Sequence, residues 1–289
     1  MQESIIGVGK VKPLSYIMKK RLLVLFILIA LMLFIFFNLS ACKNNDDEAT
    51  LFTVSFETNG GTLIKNIKGN VIEEFPVTEK EGYFLEGWYT DPDFTSSQVV
   101  FPFEVLKNTV LYARWFTAAQ GSPFLQYELN DDNTYSVTGY TGLSKIVVIP
   151  QSKDDKNVTR IAEGAFATSY TVKEIHIPDS VEIIERAFYR CPNLENIFVS
   201  SHNAYFLSEN GILYDKDKTA LISYPPAKEG DSFDIPQTVA TVKNSAIRFC
   251  ANLKQINIPA SVTSINNYFE GCHKLERIAV HEQNQNYAS

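Results

Sequence analysis

From Val158 to Val280 apolar and polar positions return in one order at nearly constant spacing. The recurring phrase is an apolar pair, Ala-Phe, Cys, Leu, a three-residue apolar alternation and then Ile-Pro, kept with substitutions at single positions. The four passages are RIAEGAFATSYTVKEIHIP, EIIERAFYRCPNLENIFVS, TVKNSAIRFCANLKQINIP and TSINNYFEGCHKLERIAV. Phe166 and Phe188 stand 22 positions apart, as do Cys250 and Cys272, Ile175 and Ile197, and Ile256 and Ile278, while Pro236 and Pro259 stand 23 apart. A period of 22 to 23 residues predicts a solenoid, because one coil cannot bury its own apolar face and stacking on its neighbours makes a continuous core.

Within a coil, Glu174-Ile175-His176-Ile177 and Gln255-Ile256-Asn257-Ile258 alternate, which predicts a short strand with the isoleucines inward and the polar residues outward. Pro178, Pro236 and Pro259 close these strands, since proline lacks the donor that would continue a ladder. A second apolar alternation follows at Val181 and Ile183, at Val239 and Val242, and at Val262 and Ile265. Phe166, Phe188, Ile247 and Phe269 occupy equivalent places and are expected to stack as a column. Between Val199 and Ile235 the spacing is 36 residues instead of 22. Asn210-Gly211 there separates the apolar pieces Ile212 to Tyr214 and Leu221 to Tyr224, so a hairpin insert is expected around 203–225.

The remaining segments have other patterns. Leu22 to Phe37 is an unbroken apolar run of sixteen residues behind Met18-Lys19-Lys20-Arg21. At about 1.5 Å per helical residue it spans less than a hydrocarbon core of roughly 30 Å, so a basic flank and short apolar run point to an export signal. An uncleaved anchor helix is the alternative. Phe52 to Trp115 alternates in β fashion, with the hairpin signal Asn59-Gly60 between Val54 and Phe56 on one side and Leu63 and Ile64 on the other. Thr117 to Pro123 is an Ala, Gly and Pro linker. Phe124 to Ile149 reads as the entry coil, with Asn130 to Asn133 as a polar hairpin turn; it lacks the glycine and distal glutamate of an EF-hand loop. Ser152 to Asn157 is a charged, solvated loop.

Three resemblances follow. Ala187, Phe188, Cys191, Leu194, Ile197 and Val199 keep the register of the BspA type leucine-rich repeats of bacterial surface proteins, over roughly 140–280. Ser169, Val172 and Ile247 depart from that pattern without changing the expected fold. Asn59 to Gly61, Gly82-Tyr83, Gly87 to Tyr89, Asp91 and Leu111 to Trp115 resemble the Listeria–Bacteroides (InlB B-type) repeat, a small β-grasp-like module. Leu39-Ser40-Ala41-Cys42 resembles the lipobox of bacterial lipoproteins, which implies Cys42 as the lipidated first residue of the mature chain, held by two or more acyl chains. The expected organisation is mainly β. A signal occupies 1–41, a polar tether 42–50, the repeat module 51–116, a linker 117–123, the solenoid 124–280 and a polar tail 281–289. That tail is expected to fold over the last coil, to leave an edge through which the chain self-associates weakly, or to mark a shortened member of a longer family.

The whole chain carries a formal charge of −7, and removal of residues 1–41 leaves 21 basic and 32 acidic residues, a charge of −11. This excludes an electrostatic footprint for nucleic acid and flat adsorption on anionic lipid. His176, His202, His273 and His281 lie in different coils or loops and form neither HExxH nor a carboxylate cluster, and no Cys pair has the CxxC spacing of a metal or redox site. Cys191, Cys250 and Cys272 read as core thiols in a ladder. No catalytic, cofactor or metal residue is therefore assigned. Trp88 and Trp115 read as module core and Tyr89 and Tyr112 as surface residues. Candidate contact residues are Glu174, His176 and Asn257 on the outward row, and Tyr205, Tyr214 and Tyr224 in the insert, where tyrosines suit an interface as well as packing. The resemblance implies noncatalytic recognition of an extracellular or envelope protein or glycan by a cell-surface lipoprotein. A structural scaffold or accessory subunit of an envelope assembly is the alternative.

Overall fold

The computed structural model describes residues 51–265 and 269–287. The signal, the lipobox with Cys42 and the tether lie outside the described residues, all of which are strand, turn or irregular structure with no helix.

The first module contains β1 (Phe52–Glu57), β2 (Ile67–Gly69), β3 (Val71–Ile72), β4 (Phe84–Tyr89), β5 (Phe103–Glu104) and β6 (Thr109–Phe116). Its main sheet has the order β2-β1-β6-β4, with β1 and β6 parallel at the centre and β3 paired separately with β5. A parallel central pair is the β-grasp arrangement, but the connection between β3 and β4 holds no helix. Trp88 is fully buried beside Phe56, and its indole donates to Pro76 O at 2.9 Å. Trp115 is half-buried and donates to Thr58 O at 2.9 Å.

Two expectations for this module are corrected. The Asn59-Gly60 turn forms, with Gly61 N–H on Thr58 O, but the strand after it is β2 and Leu63 is 93% exposed. Thr62 is drawn away, because its N–H donates to Glu79 O and its carbonyl accepts from Thr78 Oγ1. Tyr89 is buried, not a surface residue. A bulge in β4 makes Leu85 pair with Trp115 and Gly87 with Arg114, so Glu86 adds one residue and shifts the alternation beyond it. Tyr89 then donates to buried Glu86, which is also ion-paired with Arg114 at 3.3 Å.

In the solenoid, the entry hairpin joins β7 (Leu125–Leu129) to β8 (Tyr135–Tyr140) through the expected polar turn. Then come β9 (Ile146–Val148), β10 (Ser152–Lys153), β11 (Lys156–Ile161), β12 (Glu174–Ile177), β13 (Ile183–Ile184) and β14 (Asn196–Val199). The charged loop is a hairpin between β10 and β11, turning at Asp154 and Asp155 with φ of 49° and 60°. Coils stack in the predicted register: Ile175 pairs with Ile197 in the parallel sheet β9-β12-β14. A second side is formed by β8, β11 and β13. The third consists of turns in which Phe166 and Phe188 stack at 5.9 Å and 14°.

The insert is three strands, not a simple hairpin: β15 (Phe206–Glu209), β16 (Ile212–Asp215) and β17 (Ala220–Ser223), antiparallel in that order. After it, β18 (Ser232–Asp234), β20 (Gln255–Ile258) and β22 (Arg277–Val280) rebuild the parallel sheet, with β19 (Thr241–Val242) and β21 (Ser264–Ile265) on the second side. Asn210 and Gly211 make the two-residue turn into β16 with φ of 52° and 75°, which glycine adopts without strain. The alternation of β16 divides the interior. Leu213 packs in the core of the first half with Phe206, whereas Ile212 and Tyr214 pack in the core of the second half with Leu221 and Tyr224. The insert is a wall between two cores.

Two buried asparagines fasten the coil ends. Asn203 Nδ2 donates to Pro178 O (2.8 Å) and Val181 O (2.9 Å), while its Oδ1 accepts from Tyr205 N–H and Phe206 N–H, both at 2.8 Å. Asn284 does the same 81 residues later, on Pro259 O (2.7 Å), Val262 O (2.9 Å), Asn286 N–H and Tyr287 N–H. The tail therefore folds onto the last coil, and Tyr287 Oη accepts from Ile265 N–H at 2.8 Å. Replacing Asn203 by alanine strands two buried carbonyls and two amides, and is expected to cost about 3 kcal/mol in urea unfolding. A change below about 0.5 kcal/mol would show that water replaces the side chain.

Candidate binding surface

Outward residues of the parallel sheet form a row, as the alternation predicts, but its two halves differ. Over the first half lies the small module. The Phe84 ring is 5.2 Å from the His176 ring, which is 5.0 Å from Phe198, and Ser144 Oγ donates to Leu85 O at 3.1 Å. Val148, an outward position of β9, is 4% exposed. Glu174 Oε2 lies 3.6 Å from His176 Nε2, a nitrogen that is buried without a hydrogen bond. Glu174 and His176 therefore sit beside a contact that the chain makes with itself.

A cleft of about 400 Å³ runs along this junction, lined by Ile149, Gln151, His176, Pro178, Phe198 and Ser200, with Phe84, Ala118 and Ala119 over it. The second half carries a counterpart of about 490 Å³, lined by Ile235, Gln237, Asn257, Pro259, Ala279 and His281. The two sets correspond position by position: Ile149-Pro150-Gln151 to Ile235-Pro236-Gln237, His176-Ile177-Pro178 to Asn257-Ile258-Pro259, and Phe198-Val199-Ser200 to Ala279-Val280-His281. No part of the module lines the second cleft. It is also more polar, because Asp234 replaces Val148, Asn257 replaces His176 and Ala279 replaces Phe198. Asn257 is held there, donating through Nδ2 to Asp234 and accepting from Gln255 Nε2 at 2.7 Å. The repeated Ile-Pro-Gln tripeptide was the available signal for this pair of clefts.

The insert tyrosines divide. Tyr205 is 47% exposed, whereas Tyr214 and Tyr224 are 2% and 4% exposed and cannot offer their rings to a partner. They are buried because both faces of the insert are covered, one by each core. Cys191, Cys250 and Cys272 are free thiols buried in the core, as the ladder reading expects, and burial pushes the Cys191 thiol up to about 12.

A solenoid of parallel strands with a small β module docked at its entry defines the class of protein. Residues 52–114 match the Listeria-Bacteroides repeat domain, and residues 141–211 and 228–289 match the BspA type leucine rich repeat region, in six copies. The chain carries these two domains in that order. It is similar to a putative Gly-rich membrane protein of Evansella cellulosilytica, 37% identical over 193 residues, which is 64% of this chain and 21% of that protein. A putative membrane protein of the same organism is 37% identical over 71 residues, 24% of this chain and 11% of that one. The chain thus spans about a fifth of the first relative and about a ninth of the second. Among solved structures, the pneumococcal vaccine antigen PcpA is 25% identical with a TM-score of 0.42, covering 45% of this chain and 33% of that one. A leucine-rich repeat protein from Eubacterium ventriosum is 22% identical with a TM-score of 0.38, covering 55% and 71%.

The buried tyrosines make alkaline stability a test of this placement. Burial, reinforced by Glu86, pushes the Tyr89 hydroxyl up to about 12, burial raises Tyr127 to about 12, and burial likewise raises Tyr140, Tyr214 and Tyr224. Folding raises these values above about 10 in the unfolded chain, so their contribution is intact below pH 10 and is lost as pH rises toward 12. The part of the tyrosinate absorbance due to these five residues is expected to appear above pH 10 together with loss of the circular dichroism of the fold. Ionisation of all fourteen tyrosines near pH 10 with the fold intact would contradict the burial.

Proposed function

We propose that the chain is a noncatalytic cell-surface binding protein that recognises an extracellular protein or glycan through its repeat domain. The open cleft of the second half carries this reading. The first cleft of the same design is bordered by Phe84, Ala118 and Ala119 of the chain's own module and linker, whereas no such segment lines the second. Asp234, Asn257, Gln237 and His281 give the second cleft hydrogen-bonding groups of both kinds around the apolar floor of Ile235, Ile258 and Val280. A shallow polar cleft on a stack of coils suits many weak contacts to a folded surface or a sugar chain. Membrane attachment through acylated Cys42 belongs to the same proposal. It presents the solenoid outside the cell, and the relatives are named as membrane proteins.

The test is an array of extracellular-matrix proteins, mucins and glycans probed with the full chain, followed by Asn257→Tyr, which fills the cleft. A ligand that loses at least about tenfold with Asn257→Tyr, and is unaffected by Tyr214→Phe, supports the reading. Absence of binding across the array, or binding indifferent to Asn257→Tyr, refutes it. Intact mass of the membrane-extracted protein is expected to begin at an acylated Cys42, and an unmodified chain retaining Met1 or Met18 would overturn that part.

A further inference from the structure

Hydrogen bonding between consecutive coils continues across the insert on two of the three sides of the solenoid. On the parallel-sheet side, Ile197 N–H donates to Gly211 O and Val199 N–H to Ser208 Oγ, both at 2.9 Å. On the turn side, Ala227 N–H donates to Leu194 O at 2.9 Å. The remaining side is interrupted. There β13 pairs with β11 alone among the described residues, Ile183 opposite Arg160 and Ile184 opposite Ile161. Its counterpart in the second half, β19, is paired on both edges, with β17 and with β21. The counterpart position fixes what the missing partner would do. Ala240, just before β19, accepts the N–H groups of Thr263 (2.9 Å) and Ser264 (3.2 Å) on its carbonyl. Glu182 holds that place before β13, as Pro178 corresponds to Pro236 and Val181 to Val239.

Where the absent strand would lie there is a cleft of about 610 Å³. Ile183 and Ile184 form one wall, Ala220 and Ile222 of β17 the other, and the Phe188 and Phe206 side chains border it. Of the charged groups around it, Glu163 is paired with Arg186 and Glu185 with Arg160, which leaves the carboxylates of Glu182 and Asp215 against the single cation Lys243. An unpaired strand edge is a template for another strand, since its backbone groups are arranged for a ladder and lack one.

We propose that this slot binds an extended peptide segment of a partner protein by strand addition to β13, with apolar side chains turned inward between the two half-solenoids and lysine or arginine at its flanks. The edge supplies the direction and register, the isoleucine walls select apolar residues at alternate positions, and the acidic rim selects the charge of the flanks. This site is distinct from the open cleft of the parallel sheet, and neither depends on the other.

The probe is a fluorescent peptide of sequence KVTVTVK, titrated into the detergent-solubilised full chain and followed by anisotropy, with hydrogen exchange of residues 182–187 read in parallel. Saturable binding is expected, with slowed exchange of that segment. One of two peptides N-methylated at alternate residues is expected to bind at least about tenfold more weakly, because the methyl groups remove ladder donors. Replacing the terminal lysines by glutamate weakens binding as well. Ile183→Arg, at a position already 40% exposed, places a cation in the slot and is expected to weaken the lysine-flanked peptide on a chain that still folds. Absence of saturable binding, equal binding of both N-methylated peptides and the parent, or protection that appears elsewhere overturns the proposal.

Discussion

A coil of 22 or 23 residues has no interior of its own, and this constraint governs the rest of the molecule. Its isoleucines are buried only if a second coil lies against it in register, which is why Ile175 meets Ile197 and Ile256 meets Ile278. Every local feature answers that requirement. Proline ends the strands at one place, the Phe166 and Phe188 rings stack, and Asn203 and Asn284 satisfy backbone groups that a change of direction would leave buried and unpaired. The insert meets the requirement in a different way. It interrupts the stack and must present an apolar surface to both coils it separates, and a strand does so because its side chains alternate. Leu213 serves one core and Ile212 and Tyr214 the other.

Interruption has consequences for function. A strand that replaces a coil on two sides of the solenoid leaves the third side without its partner, and the slot beside β13 results. The docked module lies over the β9 end of the outward row of the first half, where Val148 is buried, and leaves Phe198 at the other end exposed. The slot thus arises where the repeat is broken, whereas the open cleft is made by three successive regular coils. A regular coil presents a polar outer face that is solvated at little cost.

Much of this was legible in the sequence because periodicity records stacking directly. The period, the inward isoleucines, the entry hairpin, the burial of Trp88 and the position of the insert all follow from spacing and alternation. Strict alternation puts Tyr89 outside because it does not allow for the bulge at Glu86, of which the strand-interior Gly87 is the sequence signal. Leu63 departs from the hairpin pattern because Thr62 pairs with Glu79, seventeen residues further on, a partner that local spacing does not reveal. Tyr214 and Tyr224 looked as suited to an interface as to packing because sequence shows that a strand is apolar, not how many of its faces are covered. The open cleft needed Ile235, Asn257 and Ala279 from three successive coils, and the Ile-Pro-Gln repeat marks only one of them.

The central claim is that β16 is a shared wall that makes the two half-solenoids one folding unit. It is tested most directly by hydrogen exchange of the Leu213→Ala chain in increasing urea. The side chain packs in the core of the first half, and its loss is expected to cost about 3 kcal/mol. If the wall couples the halves, protection of β12 and of β20 falls by the same factor and at the same urea concentration. If β12 loses protection while β20 keeps that of the unaltered chain, the halves are independent and the account of the insert is wrong.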